Sequence, residues 1–173
     1  MDSAAVAAMI AAAFPVPAAQ IGEFRDGGVV FWVDGSGQHG LVCDIQDLSM
    51  SEWGCYGSLI GSTGSFIGSG QQNTIDILVG CSTVGIAADL CANSTAQGYN
   101  DWFLPSIDAM TEIYNNANDV NFTSITNGGF SLSGDYYKSS SEYDANGIYG
   151  KNFLTGSNIT GQNKSFISSD RAF

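Results

Sequence analysis

Residues 101–114 read DWFLPSIDAMTEIY. Trp102, Phe103 and Leu104 make a short apolar run that predicts a buried strand over 101–105, closed by Pro105, which has no N–H to give to a ladder. Ser106 then stands where a helix N-cap accepts a backbone N–H, and Asp108 sits in the first turn, where the helix dipole favours a carboxylate. Ala109, Met110, Ile113 and Tyr114 recur at helical spacing and predict its apolar face.

Upstream, GVVFWV at 28–33 is β-branched and aromatic, which suits a strand. Asp34-Gly35-Ser36-Gly37 is turn chemistry, and residues 40–45 read as the return strand. Residues 46–72 are rich in Gly and Ser but carry WGCYG at 53–57, so they predict an ordered excursion that buries Trp53, Cys55 and Tyr56. Asn73 is a candidate cap for a helix through TIDILVG, with Ile75, Leu78 and Val79 as its stripe, and a second helical piece follows from Gly85. Downstream, Asn127-Gly128 signals a turn. Strands are expected from Tyr136 to Tyr143, from Tyr149 to Phe153 and near 165–173. Strands, two helices, then strands is an α+β plan.

The chain has 173 residues, enough for one domain with a core. Seventeen acidic against five basic residues give a net charge of -12. No Lys or Arg stands between Arg25 and Lys138, and the other basic residues are Lys151, Lys164 and Arg171. Such a chain repels phosphate backbones, so no nucleic-acid partner is expected.

The four cysteines, Cys43, Cys55, Cys81 and Cys91, lack the CxxC spacing of zinc sites. Their even number predicts two disulfides, with the pairing open among three connectivities, the alternative being four buried thiols packed as small hydrophobes. Along one unbroken helix over 73–93, Cys81 and Cys91 would stand about 15 Å apart, beyond the roughly 7 Å a bridge allows. Joining them would need a break near Gly85.

Residues 1–20 form a separate segment. The apolar run from Ala4 to Phe14 is about eleven residues, short of the roughly 20 that span a bilayer. Asp2 stands where an export signal carries positive charge. An apolar N-terminal helix for assembly or anchoring is expected, packed on a partner subunit of a homo-oligomer or a larger assembly, the alternative being its own domain, and ended by Pro15 and Pro17.

Catalytic patterns are missing. His39 lies in a Gly-rich turn with no nucleophile motif beside it, so it reads as a surface histidine. Ser139-Ser140-Ser141 has no G-x-S-x-G elbow and reads as strand-to-loop hydrogen bonding. The acidic residues lack EF-hand spacing, and Glu-Pro-Asn and Trp-Asn-Asp calcium motifs are absent. The expectation is a non-enzyme without a cofactor. A bound calcium is left open with no ligands named.

Six motifs occur in order: FRDGGVVFWVDGSGQHGLVC at 24–43, WGCYG at 53–57, GCSTVGIAADLC at 80–91, DWFLPS at 101–106, SSSEYD at 139–144 and RAF at 171–173. Together they resemble the C-terminal domain of collagen-like bacterial adhesins, the Lcl-type domain, over residues 21–173. The resemblance implies a C-type-lectin-like fold with two helices, a small twisted antiparallel sheet and long loops. It also implies adhesion or glycan binding and display on cells or phage particles, as in retroelement-diversified variable proteins. This chain departs from the pattern where Ser168, Ser169 and Asp170 replace a basic run and where Lys138 replaces an aromatic. The related formylglycine-generating enzymes use late cysteines, and none follows Cys91.

Within residues 143–166 the candidate ligand-binding residues are Tyr143, Asp144, Asn146, Tyr149, Lys151, Asn152, Thr155, Asn158, Gln162, Asn163 and Lys164. Amides and hydroxyls both donate to and accept from sugar hydroxyls, and aromatic faces cover the apolar side of a pyranose. The expected partner is a host-surface glycan or protein receptor. The expected setting is a virion surface, in a head fibre, spike or tail component. A structural capsid or filament subunit, or a secreted adhesin at the cell surface, is the alternative.

Overall fold

The structure, a computed structural model, describes residues 2–4, 17–134 and 136–171. Most of the expected N-terminal helix, residues 5–16, lies outside the described residues.

Asp26 and Gly27 carry φ of +50° and +81°, as a two-residue type I′ turn requires. They join strand β1 (Phe24–Arg25) to β2 (Gly28–Val33). The Asp34 turn then returns the chain as β3 (Gly40–Cys43), completing a sheet of order β1-β2-β3. The second sheet contains β4 (Leu48–Ser51), β5 (Tyr136–Glu142), β6 (Gly147–Asn152), β7 (Asn158–Asn163) and β8 (Ser168–Asp170). Its order is β4-β8-β5-β6-β7, antiparallel except for the β5–β8 pair. Two sheets thus replace the single one expected. The α+β class holds.

Four helices are described rather than two: α1 (Gly70–Gly80), α2 (Ala87–Ala92), α3 (Ile107–Asn115) and α4 (Ala117–Thr126). Ser106 caps α3, its hydroxyl accepting the Ala109 N–H. Asn73 does not cap α1; it lies inside the helix and is buried. The buried face of α1 is Gly70, Asn73, Thr74 and Ile77, a half-polar stripe that apolar periodicity alone misses. Ile75, Leu78 and Val79 face outward instead, Val79 being 85% exposed.

Residues 101–106 pair with no strand, so the buried strand expected over 101–105 does not form. Their backbone is satisfied elsewhere: the Leu104 N–H donates to Thr74 Oγ1 at 3.0 Å and the Pro105 carbonyl accepts from Ser140 N at 2.7 Å. Side-chain partners thus do the work of a ladder.

The core has two apolar clusters. One joins Val29, Phe31 and Ile45 to Met110, Ile113, Val120 and Tyr137. The other gathers Trp53, Ile77, Ile86, Trp102, Leu104 and Ile148. Trp53 is buried as expected, whereas Cys55 is half-buried and Tyr56 is exposed. One disulfide forms, Cys55–Cys81, in place of the two expected. Cys43 and Cys91 are buried and form no bridge, and they belong to different clusters.

Candidate functional site

The SSSE run on β5 is a polar hub that holds loops in place. The Ser139 carbonyl accepts the Trp53 indole N–H, and Ser139 Oγ donates to the Tyr149 carbonyl. Ser140 Oγ accepts from the Asn73 amide, while Ser141 Oγ donates to the Gly64 carbonyl and accepts the Ile107 N–H. The expected strand-to-loop bonding is therefore what these serines do. Glu142 ends the run, its carboxylate accepting the N–H groups of Ile60 and Gly61 and the ammonium of Lys164.

The basic residues are the larger surprise. Lys138, Lys151, Lys164 and Arg171 are 1%, 4%, 0% and 0% exposed. Lys138 donates to the Ser168 carbonyl. Arg171 pairs with Asp47, which also accepts the Tyr137 hydroxyl. Lys151 donates to Asn158 Oδ1 at 2.9 Å, with its ammonium 5.1 Å from the Tyr114 ring centre. Burial pushes its pKa down. Arg25 is the single Lys or Arg that is not buried among the described residues, and it is tied to Glu23 and the Pro17 carbonyl.

Residues 143–166 are thus not one open loop. They form β6, β7 and tight turns, with β7 at the edge of its sheet. The register pairs Gly147 with Asn163 and Lys151 with Asn158, so alternation places Tyr149, Lys151, Asn158 and Asn163 on one face. Tyr143 joins that face, edge-on to Tyr149 with ring centres 5.3 Å apart. Gly161 lies against the Tyr143 ring. Gln162 pairs with the core residue Ile148 and so lies on the opposite face, where alternation also puts Asn152.

Several polar groups are already engaged in turns. Asp144 Oδ1 accepts the N–H groups of Asn146 and Gly147. Asn152 Oδ1 accepts those of Leu154 and Thr155, and Thr155 in turn bonds Ser157. Asn163 Oδ1 accepts from Ser165. Lys164 is withdrawn into the interior over Trp53, and Lys151 is enclosed. Both are corrections to a surface reading: four-carbon stems let the ammoniums reach buried acceptors. Tyr143, Asp144, Asn146, Thr155, Asn158 and Asn163 remain exposed, with Tyr149, Asn152 and Gln162 half-buried.

Next to the Thr155 turn lies a cleft of about 450 Å³ that the sequence reading missed. It is lined by Tyr114, Asn115, Ala117, Asn118, Asn121 and Phe153. The α3–α4 junction presents the asparagines three residues apart. Asn115 and Asn118 are exposed, and no side-chain hydrogen bond engages either among the described residues. Asn121 is half-buried, its Oδ1 accepting the Leu132 N–H at 2.7 Å. Tyr114 and Phe153 meet edge-on at 5.8 Å. Gly156 at φ +75° lies under the Tyr114 ring, where a Cβ would clash with it. No charged side chain lines this cleft.

His39 is exposed. Among the described residues no cluster of three or more His, Cys, Asp or Glu side chains is placed to hold a metal, and no helix is long and apolar enough to cross a membrane. No family model matches the chain, and no curated protein matches it.

Proposed function

We propose that residues 21–173 are a non-enzymatic, C-type-lectin-like recognition domain that binds a neutral glycan, displayed on a phage virion for host attachment. The carrying observation is the uncharged cleft of rings and amides beside the β6–β7 turn. Amides there can donate to and accept from sugar hydroxyls, and the rings can cover an apolar sugar face. The Tyr143–Tyr149 pair, with Tyr143 exposed and Tyr149 half-buried, gives a second aromatic platform on the neighbouring sheet face. Interior lysines and a net charge of -12 argue against sulfated or phosphorylated ligands. Each sugar contact is modest, so useful avidity comes from several copies on one particle.

A structural-subunit reading has its own support in the outward apolar side chains Ile75, Leu78, Val79 and Val84. A glycan array probed with the protein clustered on beads separates the two readings. Neutral oligosaccharides should bind, and Asn115→Ala with Asn118→Ala should abolish binding at an unchanged melting temperature. Binding to no glycan and to no host cell would replace the receptor reading with the structural one.

A further inference from the structure

A second cleft lies away from these residues in the chain, and its chemistry is opposite. It measures about 290 Å³ and is lined by Asp26, Gly40, Tyr99, Asp101, Trp102 and Phe103. We infer that it is a binding site for a single organic cation, an alkylammonium or quaternary ammonium headgroup.

Its walls are held by backbone. The Trp102 indole N–H donates to the Ala96 carbonyl at 3.2 Å, which fixes the ring, and the Tyr99 N–H donates to the same carbonyl. The Tyr99 ring rests on Gly27, where a Cβ would come within 2.5 Å of it, so only glycine admits this approach. Gln97 sits beside it at φ +54°. The aromatic wall is therefore set before any ligand arrives. Asp26 and Asp101 are exposed, and neither carboxylate takes a hydrogen bond or ion pair among the described residues.

Two carboxylates without partners beside three aromatic rings attract a cation twice. The carboxylates attract it by charge, and ring faces attract it through their quadrupoles. Among the described residues no Lys or Arg side chain competes. Arg25, next to Asp26 in sequence, is held by Glu23 and Pro17, and the four other basic side chains are buried. The volume suits one headgroup rather than an extended chain. Anionic and sulfated ligands are repelled.

The test is titration of the full chain with tetramethylammonium and n-butylammonium chlorides, followed by amide and indole NMR. Methyl glucoside and sodium chloride are run in parallel. Saturable shifts at the Trp102 indole and at Gly27 and Tyr99, with one or both organic cations only, are expected. The two cations distinguish a quaternary from a primary amine. Asp26→Asn with Asp101→Asn should weaken binding about fivefold or more, and Tyr99→Leu about threefold or more. Asparagine accepts the left-handed backbone of position 26, so that variant keeps its turn. Wild-type binding no stronger than sodium chloride gives, equal shifts with the glucoside, or unchanged binding in the carboxylate variant would each overturn the assignment.

Discussion

Lys164 Nζ lies 2.5 Å from Glu142 Oε1, and the two side chains are 0% and 1% exposed. The ammonium also donates to the Ser58 carbonyl and sits 4.7 Å from the Trp53 ring centre. The carboxylate also holds the N–H groups of Ile60 and Gly61. A strand end, a late turn and the 52–61 excursion meet at one ion pair.

Breaking such a pair strands a charge in the interior. Lys164→Met should destabilise the protein by about 3–5 kcal/mol. Adding Glu142→Gln should recover part of that loss, because the charge left behind is then gone. Urea unfolding of the single and double variants measures both. A single variant as stable as the wild type would show that the pair contributes nothing.

Elements whose buried face is apolar were legible in the sequence. GVVFWV became β2 and Ser106 caps α3 because branched packing and a short hydroxyl act locally. Helix α4 was missed because its buried residues are Val120, Thr123 and Ser124, which carry little apolar periodicity. Strand β7 was missed because NITGQN is an edge strand with only Ile159 and Gln162 half-buried. Lys164 reads as surface in any local window, since its partner Glu142 lies 22 residues away. The asparagines at 115, 118 and 121 did carry a signal: their three-residue spacing would have placed them together, had NNANDVN been read as helical.

The cysteine chemistry separates into one bridge and two inert thiols. Intact mass of unreduced protein should fall two hydrogens below the all-thiol mass. Burial pushes the Cys43 thiol up to about 12, and alkylation needs a thiolate. Folded protein at pH 8 should therefore resist iodoacetamide at Cys43 and Cys91, and denatured, unreduced protein should take two adducts. Reduction should lower stability by about 3–4 kcal/mol on the loop-closure relation. Four adducts without a reductant would refute the bridge.

Lys151 gives a pH test. Its pKa is lowered from the ordinary 10.5 because burial penalises the charged form. The folded state then binds this proton less tightly than the unfolded chain. Below the depressed pKa the charged group is a liability, and stability recovers as pH rises towards 10.5. Lys151→Met keeps the stem against Tyr114 and removes the charge, leaving Asn158 to solvent. The variant should be more stable than wild type at pH 7, with the gap narrowing as pH approaches 10.5. Thermal melts across that range measure it, and a gap that stays constant would remove burial of the charge as its cause.

Asn73 couples the two halves of the polar core. Its amide donates to the Gly64 carbonyl at 2.7 Å and to Ser140 Oγ at 3.1 Å, and its Oδ1 accepts the Gly64 N–H. Gly64 lies three residues after Gly61, which Glu142 holds. Asn73→Ala leaves the half-buried Gly64 N–H without its partner, at about 1–3 kcal/mol, while the Gly64 carbonyl keeps the Ser141 hydroxyl. Because Asn73 and Glu142 both order the 60–64 loop, removing either contact loosens what the other holds, so the loss should not add to that of Lys164→Met. The double variant Asn73→Ala/Lys164→Met should be less destabilised than the sum of the two singles, by about 0.5 kcal/mol or more. Chemical denaturation of all four proteins closes the cycle. Strict additivity would mean that the loop is anchored independently at its two ends.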